Sequence, residues 1–150
     1  MKKLMLASLI LASGKIAMAV NWVENPSNVG NGTMFIDIDS IKKHYFPNNK
    51  GFYLTAWIRN VSPIVKYVDG KPYNIRHIFM YIDCNNEKSS FEEIVGYYNN
   101  NINPVAHERY NVIKHSSDSW SRFPPTTLGA EEIKAVCNAY QIGLQYGYQF

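Results

Sequence analysis

The sequence predicts an α+β domain in which an antiparallel sheet packs against one C-terminal α-helix, with a disulfide joining the helix to the sheet. Apolar segments with a two-residue alternation follow one another across short turn sequences, and no helical segment lies between them to carry a parallel crossover. A helical period of apolar residues appears only near the C-terminus. The only two cysteines, Cys84 and Cys137, fall one in each of these regions.

The N-terminal segment has the three parts of a secretory signal peptide. Lys2 and Lys3 form its positive start, residues 4–12 form an apolar core, and residues 17–19 supply small side chains for cleavage. This core is shorter than the roughly 20 residues that span a bilayer. We therefore expect residues 1–19 to be a signal peptide and residues 20–150 to be one exported domain without a transmembrane segment. No Cys stands at the cleavage point, so no lipid anchor is expected there.

Cleavage would change the charge of the protein. The whole chain carries 15 Lys and Arg against 12 Asp and Glu. Lys2, Lys3 and Lys15 would leave with the signal peptide, so cationic and anionic residues balance in the mature domain. A balanced domain gives no reason to expect a nucleic-acid partner.

Several segments of the mature chain have the alternation of strands. Residues 52–61 carry aromatic side chains on both faces, which indicates a central strand. Turn sequences rich in Asn, Gly and Pro separate the segments, and the pair Asp69 and Gly70 is a good hairpin signal. The predicted strands are residues 33–38, 52–61, 75–84, 90–98 and 105–113.

The helix is predicted to begin after residues 124–127, where Pro and Thr suit a helix start and two acidic residues follow in the first turn. Its apolar stripe follows the helical spacing and consists of Ile133, Val136, Cys137 and Tyr140. The last residues, 144–150, alternate again, so we expect either a tail strand on the sheet or a frayed end.

The cysteines are expected to form a disulfide, because an even pair in a small exported domain is usually oxidised. Cys84 ends a predicted strand, and Cys137 lies on the stripe that should face the sheet. A free nucleophilic cysteine is the alternative, and it would leave the second cysteine without a role.

The sequence offers no recognisable catalytic or metal site, so we expect the protein not to be an enzyme. It has no phosphate-binding glycine loop and no nucleophile elbow, and its four histidines lack metal-ligand spacing. His77 and His107 lie on predicted strands and could converge across the sheet.

A set of short motifs occurs in order along the mature chain. They are Trp22, residues 35–41 (Phe-Ile-Asp-Ile-Asp-Ser-Ile), 56–59 (Ala-Trp-Ile-Arg), 81–84 (Tyr-Ile-Asp-Cys), Trp120, 123–127 (Phe-Pro-Pro-Thr-Thr), Glu131 and Cys137. In this order, with both cysteines in register, they resemble the bacterial surface-adhesin protein E family. The resemblance runs from about Trp22 to Cys137.

This resemblance implies an antiparallel sheet of about six strands packed on the C-terminal helix, with the disulfide between them. It also implies a surface protein that binds host extracellular-matrix proteins such as vitronectin and laminin. The resemblance suggests a homodimer and haem as further properties, and His77 or His107 would be the residue that binds haem. The chain departs from the family's lipoprotein members in lacking the cysteine after the signal peptide. A surface, secreted or periplasmic location would each fit this departure.

Two functional hypotheses follow from the sequence. The first is an adhesin-like binding protein that contacts host matrix protein through a sheet face or hairpin loops. The alternative is a soluble periplasmic accessory or small-ligand binding module. Loops on a rigid sheet commonly carry recognition, so the hairpin tips supply the candidate contact residues. These are Asp69, Lys71, Tyr73, Asn85 and Lys88.

Overall fold

A computed structural model of the chain describes residues 20–25, 32–97 and 104–150. The predicted signal peptide, residues 1–19, lies outside the described residues, and so do residues 26–31 and 98–103, which contain most of two predicted turns. Among the described residues, no helix is long and apolar enough to cross a membrane.

The described residues form one antiparallel sheet and one α-helix. The elements are β1 Trp22–Asn25, β2 Thr33–Asp37, β3 Lys42–Tyr45, β4 Phe52–Val68, β5 Lys71–Asp83, β6 Lys88–Tyr97, β7 Pro104–Arg109, β8 Ser121–Arg122 and α1 Leu128–Gln145. Six strands lie side by side in the order β1-β2-β4-β5-β6-β7, while β3 pairs with β4 beyond the end of β2, and β8 pairs with β6. The predicted antiparallel sheet of about six strands and the C-terminal helix are therefore confirmed.

The main core lies between the sheet and α1. Neighbouring strands are in register, so that Ile58 in β4 lies between Ile36 and Ile78, and these side chains share the face toward the helix. The stripe predicted on α1 supplies the other half of this core. The buried residues of the whole main core are Met34, Ile36, Ile41, Leu54, Ala56, Ile58, Ile78, Met80, Ile82, Ile133, Ala135, Val136 and Tyr140.

The disulfide joins the helix to the sheet, as predicted. Cys84 follows β5, Cys137 lies on α1, and their Cα atoms are 5.8 Å apart although 53 positions separate them in sequence. At the start of α1, the Thr127 hydroxyl accepts a 3.4 Å hydrogen bond from the Ala130 amide. The cap and the disulfide hold the helix across one face of the sheet.

The opposite face of the sheet carries a second, aromatic core. Trp120 packs there against Phe46, Tyr53 and Tyr81, with ring centroids 5.8, 5.5 and 6.2 Å away. Its indole Nε1 donates a 2.8 Å hydrogen bond to the carbonyl of Ile113. Because β4 is covered on both faces and flanked on both edges, its predicted central position is confirmed.

The C-terminal tail differs from both expectations for residues 144–150. The helix continues to Gln145, and the chain then turns back at Gly147, which has a φ of 80°. The Tyr148 amide donates a 2.9 Å hydrogen bond to the Gly143 carbonyl. The Phe150 ring then packs 5.1 Å from Tyr140, so the tail is neither a strand nor frayed.

Gly143 makes this return possible. A Cβ atom at this position would lie 2.2 Å from the Phe150 ring, so a side chain would displace it. Residues 144–150 are therefore the last two residues of α1, a turn and a docked aromatic ring, and not a strand.

Several strand boundaries also differ from the predicted ones. The predicted strand at 52–61 continues to Val68, because an irregularity between Val61 and Lys66 absorbs Pro63 without ending the ladder. β7 ends at Arg109 rather than at residue 113, since the chain there leaves the edge of the sheet to reach the aromatic core.

Candidate functional site

The β4–β5 hairpin extends beyond the described parts of β2 and β6. β2 pairs with β4 only as far as Val61, and β6 pairs with β5 only from Ile75. Beyond these limits, β4 and β5 pair with each other at Lys66 with Tyr73, Tyr67 with Pro72 and Val68 with Lys71. We call residues 62–74 the hairpin arm. Its tip is the predicted Asp-Gly turn, with positive φ angles at Asp69 (48°) and Gly70 (73°).

Large apolar side chains are exposed along the hairpin arm. Ile64 is 69 % exposed, Val65 45 % and Tyr67 71 %. Lys66 and Lys71 lie among them, so the arm presents apolar and charged groups side by side. Contiguous exposed apolar surface often marks a site that binds another protein, so this group of side chains is a candidate contact surface.

A concave site lies where the hairpin arm joins the sheet. We call it the arm-base pocket. It has a volume of about 240 Å³ and is lined by residues from the start of β2, both strands of the arm and Leu128 at the first position of α1. Gly32 allows the chain to pass close to β4 here, because a Cβ atom on it would lie 2.8 Å from the Val61 carbonyl oxygen.

A buried carboxylate contacts two residues that line this pocket. Glu132 on α1 accepts a 2.6 Å hydrogen bond at Oε1 from Asn60 Nδ2, and Arg76 Nη2 lies 3.7 Å from the same oxygen. Burial raises the pKa of the Glu132 carboxyl above its ordinary value of 4.5, although Arg76 and Asn60 favour the charged form. The three residues link the helix to β4 and β5 below the arm.

The raised pKa of Glu132 predicts how stability changes with pH. The folded protein takes up this proton at a higher pH than the unfolded chain does, so Glu132 makes the free energy of unfolding rise as pH falls through the raised pKa, until it levels off near 4.5. The variant E132Q has no titratable carboxyl at this position. Urea unfolding of both proteins across this range should show the wild type gaining stability relative to E132Q as pH falls. A difference that stays constant with pH would contradict the raised pKa.

The five predicted contact residues fall into two groups. Asp69, Lys71 and Tyr73 lie on the hairpin arm, and Tyr73 also lines the arm-base pocket. Asn85 and Lys88 lie at the other end of the 13-residue strand β5, in and just after the turn to β6. The structure therefore does not bring the two groups together, and a role in binding stays a prediction for all five.

The β5–β6 turn is organised by a residue that sequence reasoning missed. Asp83 is buried, and its carboxylate accepts hydrogen bonds from the Asn85 and Asn86 amides at 3.1 Å and from the Ser117 hydroxyl at 2.5 Å. Lys88 Nζ donates a 3.2 Å hydrogen bond to the Ser117 carbonyl. An Asp two residues before Asn at a strand end is an Asx-turn signal that could have identified this arrangement.

The two histidines of the haem hypothesis lie in one row of the sheet. His77 in β5 and His107 in β7 both pair with Val95 in β6, from opposite sides. Burial, and then the charge of Arg59, lowers the pKa of His77 to about 4, and its ring lies 5.3 Å from Trp22. Its imidazole is therefore neutral at neutral pH. Haem binding stays a prediction.

No metal-binding group of three or more His, Cys, Asp or Glu side chains occurs within the described ranges 20–25, 32–97 and 104–150. The histidines, the arm-base pocket and the β5–β6 turn are separate places on the molecule. The hairpin arm and the pocket at its base adjoin each other, so together they form one continuous candidate for recognition.

A protein-family model matches most of the chain. The family model for surface-adhesin protein E matches residues 22–138, from the first residue of β1 to one residue beyond Cys137. No curated protein and no solved structure shows a significant match. The matched region covers most of the chain and includes the sheet, the disulfide and the first half of α1. The chain therefore belongs to the surface-adhesin protein E family.

Proposed function

We propose that this protein is an exported surface adhesin that binds a host extracellular-matrix protein, such as vitronectin or laminin, through the hairpin arm. Membership of the family indicates a surface adhesin and a non-enzymatic role. The observation that supports the arm as the contact surface is the exposure of Ile64, Val65 and Tyr67 on residues that no neighbouring described strand covers.

The physical basis of binding would be burial of these apolar side chains. Buried aliphatic and aromatic groups each contribute about 1.5–3 kcal/mol when they leave water. Tyr is also frequent among the residues that dominate interface energies, because it offers a rigid apolar ring with a polar end. Since the arm carries both Asp69 and two lysines, binding should tolerate salt better than binding to a uniformly basic surface would.

We expect Tyr67→Ala to weaken binding to immobilised vitronectin or laminin at least tenfold, because an interface anchor typically contributes about 2 kcal/mol. Surface plasmon resonance with the mature protein measures this. Tyr45→Ala is the matched control, since Tyr45 is equally exposed at 71 % but lies on β3, away from the arm. Tyr45→Ala should bind like the wild type.

Two results would contradict the proposal. One is the absence of saturable binding to either matrix protein at micromolar concentration, and the other is equal loss of binding in both tyrosine variants. Antibodies raised against the hairpin arm test the location separately, since they should label intact cells. Labelling only after permeabilisation would favour a periplasmic accessory role.

A further inference from the structure

The arm-base pocket approaches the size of a small-molecule site. Its volume of about 240 Å³ is a little below the roughly 300–1,000 Å³ typical of pockets for drug-sized ligands. It is bounded on separate sides by the sheet, the hairpin arm and the start of α1. This site is distinct from the exposed outer side chains of the arm, to which the proposed adhesion is assigned.

The charges at the pocket favour a ligand with a single negative charge. Its described lining residues include two cations, Lys66 and Arg76, and no acidic residue. In its ionised form, which Arg76 and Asn60 favour, Glu132 offsets one of the two positive charges, since its Oε1 lies 3.7 Å from Arg76 Nη2. The one positive charge that is then left suits a carboxylate better than a phosphate dianion, because ionised Glu132 would repel the second negative charge.

The rest of the lining divides into polar and apolar parts. Thr33 and Ser62 carry hydroxyl groups beside the cations, whereas Val61 and Leu128 offer apolar surface. A ligand that fits both parts has a charged end and an apolar body. We propose that the arm-base pocket binds a small aliphatic monocarboxylate, with the carboxylate at Lys66 and Arg76 and the apolar body against Val61 and Leu128.

Hexanoate is the probe, and hexanol is its uncharged counterpart. Titration of the ¹⁵N-labelled mature domain with hexanoate, followed by NMR, should give saturable shifts in the amides that line the pocket, including those of Thr33 and Ser62. Hexanol at the same concentrations should give much smaller shifts. Equal shifts with hexanol would mean that the pocket recognises only the apolar body, and would overturn the proposal. Tighter binding of inorganic phosphate than of hexanoate would also overturn it.

Lys66→Gln tests the charge without disturbing the buried Glu132, because Lys66 is exposed on the arm. It should weaken hexanoate binding about tenfold, as expected for the loss of one charge-assisted hydrogen bond. Lys71→Gln is the control, since Lys71 is also exposed on the arm but does not line the pocket. Equal binding by the wild type and both variants would overturn the assignment. Tyr67→Ala should bind hexanoate normally, which separates this test from that of adhesion.

Discussion

Replacing both Cys84 and Cys137 with alanine is expected to lower the free energy of unfolding by about 4 kcal/mol, the value that the chain-entropy model gives for a closed loop of this length. The bond stabilises the domain because it restricts the unfolded chain between the two positions. Folded domains of this size are stable by only about 5–15 kcal/mol, so the variant would lose a large share of its stability. We expect it to unfold at a clearly lower urea concentration and temperature.

Urea unfolding followed by circular dichroism measures this loss under oxidising conditions. The wild type with a thiol reductant should become as unstable as the double variant, and the double variant should not respond to the reductant. A loss below about 1 kcal/mol would contradict the prediction, because it would mean that the loop was already restricted in the unfolded chain.

Trp120→Ala is expected to lower the free energy of unfolding by about 3–5 kcal/mol, the usual cost of removing a large aromatic side chain from a core. Trp120 is 5 % exposed and contacts Phe46, Tyr53 and Tyr81. Its removal leaves a cavity on the second face of the sheet and leaves the Ile113 carbonyl without the indole donor. The segment that follows β7 should therefore detach from the sheet before the main core unfolds.

Trp120→Phe is the matched control, since it keeps a ring in the aromatic core and should cost less than the alanine variant. Urea unfolding gives the free energies, and hydrogen exchange tells which part opens. Increased exchange confined to the amides of the segment after β7 is expected for Trp120→Ala. A loss under 1 kcal/mol would mean that the aromatic core contributes little to folding.

The helix and its disulfide could be predicted because their determinants are local or unique. The spacing of Ile133, Val136 and Tyr140 is repeated within one element, and its period identifies the buried face. A lone pair of cysteines in an exported chain has one intramolecular pairing available. The Asp-Gly turn was predicted for the same reason, since it depends on two adjacent residues.

The elements that were missed depend on partners elsewhere in the chain. β3 has the sequence Lys-Lys-His-Tyr, which lacks an apolar alternation, and it is a strand because its backbone pairs with β4. Trp120 lies in an irregular segment, where no period reveals that its ring is buried. Ser62 and Pro63 are typical of the end of a strand, so the sequence predicted that the strand ends at residue 61 and did not predict the hairpin arm.

The arm-base pocket could not be predicted for a related reason. Asn60 and Glu132 are in direct contact but lie 72 positions apart. Their meeting depends on the register of β4 and on how α1 crosses the sheet. Neither can be obtained from the spacing of residues in one sequence.

The disulfide has a mechanical consequence for the proposed adhesion to a matrix. When such a chain is pulled from points outside the loop, each unfolded residue lengthens it by up to about 3.4 Å. The bond between Cys84 and Cys137 removes 53 residues from this extension. The maximum length of the unfolded chain is thereby about 180 Å shorter. When it unfolds under force, the oxidised protein should therefore extend less than the reduced protein before its chain is taut.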